Sequence, residues 1–381
     1  MINYRPSRLA LLAAVPLLAV AACGDRSGET DARADRDQQT QAATQLRESI
    51  ESASFSPPVS DSRPEQNASQ DAQGAAGGSA NTPEQPDRSG AVDDALPEDT
   101  RPDPAMVRVQ ILLDRTRFSP GVIDGLGGGN TRHAIAAFEK ANGMTVDGEL
   151  DAAVFQALTS GDSARVLTDY TLTPEDVGGP FIGTIPDDIE ALSKLETVGY
   201  SNAREALAER FHMTEALLDA LNPGVDFNRA GQTIVVAETG PDPLQGEVAR
   251  IVVNKAESSV RAFAADGTLL AFYPATVGSS QTPSPSGSYT VRAIAPEPNY
   301  TYDPSRVSYG DGGSAVVVPP GPNNPVGSVW IDLSRDTYGI HGTPDPAEIG
   351  KTASSGCVRL TNWDAEQLAG AVTSGVDVKF T

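Results

Sequence analysis

Two residues stand out for the chemistry they could do together: Cys357, in Ala353-Ser354-Ser355-Gly356-Cys357-Val358-Arg359-Leu360, and His341, sixteen positions earlier in Gly339-Ile340-His341-Gly342-Thr343. A free thiol with a pKa near 8.5 is only a few per cent ionised at about pH 7. An imidazole within hydrogen-bond reach either takes the thiol proton or stabilises the thiolate as an ion pair, and both routes yield a nucleophile. Cys357 is one of two cysteines in 381 residues, and His341 is the only histidine of its region. The other two, His133 and His212, fall within or beside predicted helices and read as surface positions. A sulfur nucleophile that attacks a carbonyl also needs donors for the oxyanion it creates. Gly356 permits close backbone approach and sets the Cys357 amide beside its own sulfur, so the Ser355-Gly356-Cys357 turn is the natural place for them.

The second cysteine accounts for the missing partner of the first. Arg5 and Arg8 precede an apolar run over 9–20, and Val20-Ala21-Ala22-Cys23 puts small residues before a cysteine. This pattern predicts a lipoprotein signal peptide over 1–22 with Cys23 as the lipidated first residue. About twelve apolar residues interrupted by Pro16 are too few to span a bilayer of roughly 30 Å. Gly24 after the cysteine resembles the default outer-membrane destination of bacterial lipoproteins, so the expected location is the periplasm, anchored by lipid to the outer membrane. In that oxidising compartment an unpaired thiol is either buried and inert or kept for chemistry.

Composition then divides the chain. Residues 23–103 are rich in Ser, Gln, Asp, Ala, Gly and Pro, with Phe55 the only aromatic, and read as a disordered, lipidated linker. The formal net charge is −23, yet residues 246–381 carry 9 Lys/Arg against 13 Asp/Glu, a balance of only −4. Acidity concentrated outside the C-terminal part argues against nucleic acid as a partner and for solubility and extension of the tether.

Three folded units must position the chemistry. Over 104–160, Val109, Leu112 and Leu113 mark an amphipathic helix that leads through Pro120-Gly121 to Val122-Ile123-Asp124-Gly125. A second copy follows, with Thr131 as the expected cap of a helix carrying Ala134, Ile135 and Phe138, then Asn142-Gly143 and Thr145-Val146-Asp147-Gly148. A third helix carries Val154 and Leu158. This unit resembles the three-helix peptidoglycan-binding domain of cell-wall enzymes, although the glutamines that recur in that family are reduced to Gln110. After a connector over 161–195, residues 196–238 contain two helix-period segments, 203–211 and 214–221, then Asn222-Pro223-Gly224 and a strand over 232–236. This order looks like a LysM module, a binder of N-acetylglucosamine-containing glycans, with Thr197-Val198-Gly199-Tyr200 as its expected first strand.

The last unit, 246–381, reads as β-rich, with strands over 250–254, 259–263 and 268–276 and a hairpin turn at Asp266-Gly267. Its strings Thr282-Pro283-Ser284-Pro285-Ser286-Gly287, Pro319-Pro320-Gly321-Pro322-Asn323-Asn324-Pro325, His341-Gly342-Thr343 and Ser354-Ser355-Gly356-Cys357-Val358-Arg359, in this order, are similar to the catalytic domain of L,D-transpeptidases of the YkuD type. The expected fold is therefore multidomain: a small three-helix domain, a small α+β LysM-like module and a β-rich catalytic domain.

The resemblance implies that Cys357 attacks the carbonyl of the third, L-centred residue of a peptidoglycan stem peptide. D-alanine leaves, and an amine on a second stem resolves the thioester as a 3-3 cross-link. It implies the backbone carbonyl of Gly342 as the group that orients His341, and no metal or cofactor. The same acyl-enzyme could be resolved by a lipoprotein lysine or by water, and a wall-binding tether without catalysis is the non-enzymatic alternative. Stem peptides and glycan strands are the expected partners. Arg359 either anchors a substrate carboxylate or braces the active-site loop through a carboxylate pair, the latter favoured. Ser354, Ser355, Arg359 and Tyr338 are the expected substrate-binding residues: Ser354 also shapes the loop by hydrogen bonding, Ser355 occupies a position that is often histidine in the family but varies, and Tyr338 walls the substrate groove, as could Trp330, for which core packing is favoured. The proline-rich 319–325 string reads as a structural loop around the site.

Overall fold

The structure, a computed structural model, describes residues 26–55, 101–162, 164–240, 243–304 and 315–381. The expected signal peptide, the expected lipidation site Cys23 and residues 56–100 of the expected linker lie outside the described residues.

The start of that linker is not coil. Helix α1 (Arg26–Ser52) brings its C-terminal end onto the first core, with Ile50 fully buried and Leu46 and Phe55 packed against it. Its polar composition hides an apolar stripe at i and i+4 on the docked end. Arg108 donates to the Glu51 carbonyl at 2.8 Å, and the Glu51 carboxylate accepts from the Leu167 amide at 2.9 Å.

Helices α2 (Pro104–Arg115), α3 (Gly129–Ala141) and α4 (Ala152–Gly161) form the three-helix unit. Asp103 caps α2 and Asp151 caps α4 through their side chains, whereas α3 begins at Gly128 without a side-chain cap. Thr131, expected as that cap, is inside the helix and buried, where its hydroxyl accepts from Gln110. The sequence repeat has a physical basis. Buried Gln110 accepts from the amides of Asp124 and Gly125, and buried Glu139 accepts from those of Asp147 and Gly148, so each Asp-Gly turn is pinned by the helix before it.

The next unit contains β1 (Leu167–Thr171), α5 (Pro174–Gly178), α6 (Ile189–Leu192), α7 (Ala203–Arg210), α8 (Glu215–Leu221) and β2 (Thr233–Ala237). Its first strand is β1, antiparallel to β2 from Leu167↔Ala237 to Thr171↔Thr233, and so comes from the expected connector. Thr197-Tyr200, expected in that place, instead pairs with the proline-rich loop: the Val198 amide donates to Pro320 and its carbonyl accepts from Asn323. The two N-terminal units are not beads on a string. Their apolar side chains share one core, and Ile123 exchanges backbone hydrogen bonds with His212 and Thr214.

The C-terminal unit comprises β3 (Arg250–Asn254), β4 (Ser259–Phe263), β5 (Leu269–Pro274), β6 (Gly287–Pro296), β7 (Tyr300–Tyr302), β8 (Val316–Val318), β9 (Val329–Leu333), β10 (Gly339–His341), β11 (Val358–Arg359), α9 (Asn362–Ala371) and β12 (Asp377–Phe380). Eight of these strands form one sheet in the order β11-β10-β9-β6-β12-β3-β4-β5. The alternating side chains of β3, with Ile251 and Val253 fully buried, build the core that α9 covers with Ala365 and Leu368. The N-terminal units also lock onto this sheet, since Ser119 and Arg117 exchange backbone hydrogen bonds with Phe272 of β5.

His212 is not a surface residue. It is buried, its Nδ1 lies 3.0 Å from an Asp114 oxygen, and its ring stacks on Trp363 of α9 at 4.8 Å. Beside it, buried Asp364 accepts from the Ser119 hydroxyl at 2.9 Å. Burial and the nearby Asp114 charge push the Asp364 carboxyl up to about 7, and burial raises that of Glu209 to about 7. A carboxyl whose folded pKa is raised holds its proton in the folded state where the unfolded chain has lost it. Its stabilising contribution is complete below the unfolded pKa and is lost as pH rises through about 7. The melting temperature should therefore fall by roughly 5 °C between about pH 5 and 8. Asp364→Asn, which cannot ionise, should flatten part of that fall in a calorimetric pH series, and a melting temperature that rises with pH would contradict the assignment.

Candidate active site

Cys357 and His341 arrive on neighbouring strands. β10 and β11 run parallel with Ile340 opposite Val358 and His341 opposite Arg359. Ile340 and Val358 are fully buried in the core, so by alternation His341, Arg359 and, one residue before β11, Cys357 belong to the other face. The third strand, β9, sends Val329, Ile331 and Leu333 inward and leaves Trp330 half-buried on the site's face. There its ring stacks on the His341 imidazole, with centroids 5.2 Å apart, so Trp330 is a wall of the site and not the core residue expected.

The loop that presents the thiol is tied at several points. The Ser354 hydroxyl donates to the Cys357 carbonyl at 2.5 Å and accepts from the Gly356 amide at 3.1 Å, so it braces the loop from inside. The Thr282-Pro283-Ser284 segment closes over the loop: Thr282 donates to the Ser354 carbonyl at 3.0 Å and Ser284 to the Gly356 carbonyl at 2.8 Å. Gly356 has φ +120°, and a Cβ there would lie 3.1 Å from the Tyr338 ring, which fixes Tyr338 beside the turn. Because the Gly356 amide is occupied by Ser354, the Cys357 amide is the donor of the turn left for an oxyanion; it has no hydrogen-bond partner among the described residues.

His341 is buried, and its Nδ1 lies 2.7 Å from the Gly342 carbonyl oxygen. A carbonyl only accepts, so Nδ1 carries the proton and Nε2 keeps its lone pair.

This constellation has relatives. Residues 248–379 match the profile of the L,D-transpeptidase catalytic domain YkuD, and residues 102–158 match that of a peptidoglycan binding domain. Over 180 residues the chain is 32% identical to the L,D-transpeptidase YkuD of Bacillus licheniformis, covering 46% of this chain and 92% of that one. The chain belongs to the YkuD L,D-transpeptidase family. It is also 29% identical over 239 residues to the L,D-transpeptidase ErfK/SrfK of Escherichia coli, 59% of this chain and 71% of that protein. Among solved structures it is similar to L,D-transpeptidase 3 of Mycobacterium tuberculosis, at 18% identity over 40% of this chain and 71% of that one, with a TM-score of 0.30.

The electrostatics of this L,D-transpeptidase site decide between the two ways of activating a thiol. Burial, aided by the positive charge of Arg359, depresses the His341 pKa to about 3, against the opposing effect of the Gly342 and Val326 carbonyls. Burial pushes the Cys357 thiol up, partly offset by the Gly339 backbone and Arg359. Both groups are therefore neutral at physiological pH, and the thiol donates to the Thr337 carbonyl at 3.5 Å. The site rests as thiol and imidazole, not as thiolate and imidazolium.

The bracing ion pair expected for Arg359 is not formed with any carboxylate among the described residues. Ser355 is exposed on the loop and makes no hydrogen bond among the described residues. Sequence reasoning missed Thr337, whose left-handed φ of 70° turns its carbonyl toward the thiol, and Asn362, whose side-chain oxygen accepts from the Thr343 amide. A β-branched residue in that region is uncommon, and only a three-dimensional demand reveals it. A cavity of about 870 Å³ between α7 and α9, lined by Phe181, Tyr200, Glu209 and Trp363, does not include Cys357 or His341.

A raised thiol and a neutral imidazole on adjacent strands give a definite pH profile. Alkylation of Cys357 by iodoacetamide, followed by mass spectrometry, should accelerate continuously from about pH 6 to 9, as for an unpaired thiol. A rate that is already at its plateau near pH 6 would mean a preformed ion pair.

Proposed function

We propose that this L,D-transpeptidase works on peptidoglycan from a lipid anchor at Cys23 in the periplasm, with Cys357 as nucleophile and His341 as general base. The observation that carries this reading is the His341 imidazole: neutral, and fixed through Nδ1 to the Gly342 carbonyl so that Nε2 keeps the lone pair that a base needs. In the first step the Cys357 sulfur bonds to the carbonyl carbon of the third, L-centred stem residue while Nε2 takes the thiol proton. The Cys357 amide donates to the oxyanion. When the tetrahedral centre collapses, the C–N bond to D-alanine breaks and the imidazolium returns its proton to the departing amine. An amine of a second stem then attacks the thioester, gives its proton to Nε2, and expels the thiolate, which is reprotonated. The product is a 3-3 cross-link.

Arg359, without a carboxylate partner among the described residues, fits the role of anchor for a stem-peptide carboxylate, and Tyr338 that of a groove wall. The three-helix unit, which matches a peptidoglycan binding profile, and the β1-α7-α8-β2 unit, read as LysM-like, fit contact with glycan strands. With α1 helical, the spacing between an anchor at Cys23 and the folded units depends on a rod of 27 residues, about 40 Å long, in place of a coil.

The deciding experiment is mass spectrometry of muropeptides after incubating purified protein with tetrapeptide-stem sacculi. Dimers joined 3-3 and free D-alanine are expected, and Cys357→Ala should abolish both. Persistence of D-alanine release in that variant would remove the nucleophile assignment, while tripeptides or protein-linked stems alone would replace the acceptor.

A further inference from the structure

Gly342 and Thr343 share one peptide group, and both of its ends are in use. Its carbonyl oxygen accepts from His341 Nδ1 at 2.7 Å, and its N–H donates to Asn362 Oδ1 at 3.0 Å. The group is planar, so the direction of one end fixes that of the other. Asn362 is buried at the start of α9, and its amide is fully used. Oδ1 also accepts from the Ser328 amide at 3.1 Å, and Nδ2 donates to the Pro322 carbonyl at 3.1 Å and to Glu209 Oε1 at 2.8 Å. The close approach depends on two glycines: a Cβ on Gly342 would lie 2.0 Å from Asn362 Oδ1, and one on Gly327 2.1 Å.

Glu209 belongs to α7, 153 residues before Asn362 and in another unit. It is buried, and the same Oε1 accepts from the Tyr200 hydroxyl at 3.1 Å. A second contact runs in parallel. Asn323 of the proline-rich loop donates to Glu205 at 2.7 Å and to the Gly199 carbonyl at 3.1 Å. The loop that follows, through Val326, presents a carbonyl to His341.

We propose that Glu209 is a positioning residue of the transpeptidase reaction, supplied by the middle unit, which holds Asn362 so that the Gly342-Thr343 peptide keeps the His341 ring in its working orientation. The middle unit is thereby part of the active-site scaffold and not a detachable spacer. The proposal rests on His341 as the base. A carboxyl and a carboxamide serve the relay equally, because each offers an oxygen to Asn362 Nδ2 and to Tyr200. Leucine fills the same space and offers none.

The test compares Glu209→Leu and Glu209→Gln in the full chain, with two readouts. The first is the rate of Cys357 acylation by a carbapenem, resolved into a maximal rate and an apparent Kd. The second is hydrogen exchange of the Ser328 and Thr343 amides, which needs no chemistry at Cys357. Glu209→Leu should lower the maximal acylation rate about tenfold with the apparent Kd unchanged and speed exchange at both amides. Glu209→Gln should restore both to within about twofold of the native protein. Equal acylation by Glu209→Leu and the native protein, or a Glu209→Gln protein as slow as Glu209→Leu, would overturn the relay. If the native protein is not acylated at all, the reading of the chemistry fails instead, and exchange at the two amides decides the relay alone: unchanged exchange in Glu209→Leu overturns it.

Discussion

The site turns on one hydrogen bond, from His341 Nδ1 to the carbonyl oxygen of the next residue. An imidazole has two nitrogens, and a base useful to Cys357 must keep its proton on the one that faces away. Many histidine bases are oriented by a carboxylate, which would also favour the protonated ring. A carbonyl fixes the tautomer at smaller electrostatic cost to the neutral form, which suits a ring whose surroundings already oppose its charge. The carbonyl must itself be fixed, and a backbone carbonyl is only as rigid as its peptide plane. That requirement explains the glycines at 327 and 342, the complete satisfaction of the Asn362 amide, and the burial of polar groups where the three folded units meet.

Burial has a second consequence. It raises the thiol and depresses the imidazole, so the resting state stores no charge separation in a low-dielectric site. The proton must then move as the sulfur attacks, and the charge that develops appears on the substrate oxygen, where the Cys357 amide waits. Arg359 lies close enough to influence both groups. It lowers both pKa values, which opposes an imidazolium and eases formation of the thiolate, and as a fixed cation it also suits recognition of an acidic substrate.

Local rules carried much of this architecture into the sequence. The strands Arg250–Asn254 and Ser259–Phe263 follow the alternation of their side chains, and Thr214 caps α8 as its hydroxyl chemistry demands. The glycine of Ser355-Gly356-Cys357 does adopt a backbone conformation closed to most side chains. What escaped depends on partners distant in the chain. β1 has little to mark it until β2, more than sixty residues later, pairs with it. His212 reads as exposed because its partner Asp114 is 98 residues away, and α1 merges with its polar surroundings because its contact with the core among the described residues is made by its last turns. Asn362 and Glu209 are unremarkable in isolation; their meaning lies in a contact across 153 residues.

The central claim is that His341 is a neutral, Nδ1-protonated base in the resting enzyme. Nitrogen-15 NMR of the imidazole ring measures this directly, since protonated and unprotonated ring nitrogens resonate far apart. The account predicts a single proton on Nδ1 at about pH 6 and no titration of the ring down to about pH 4, consistent with a pKa near 3. A ring protonated on both nitrogens at pH 6, or a proton on Nε2 alone, would contradict it.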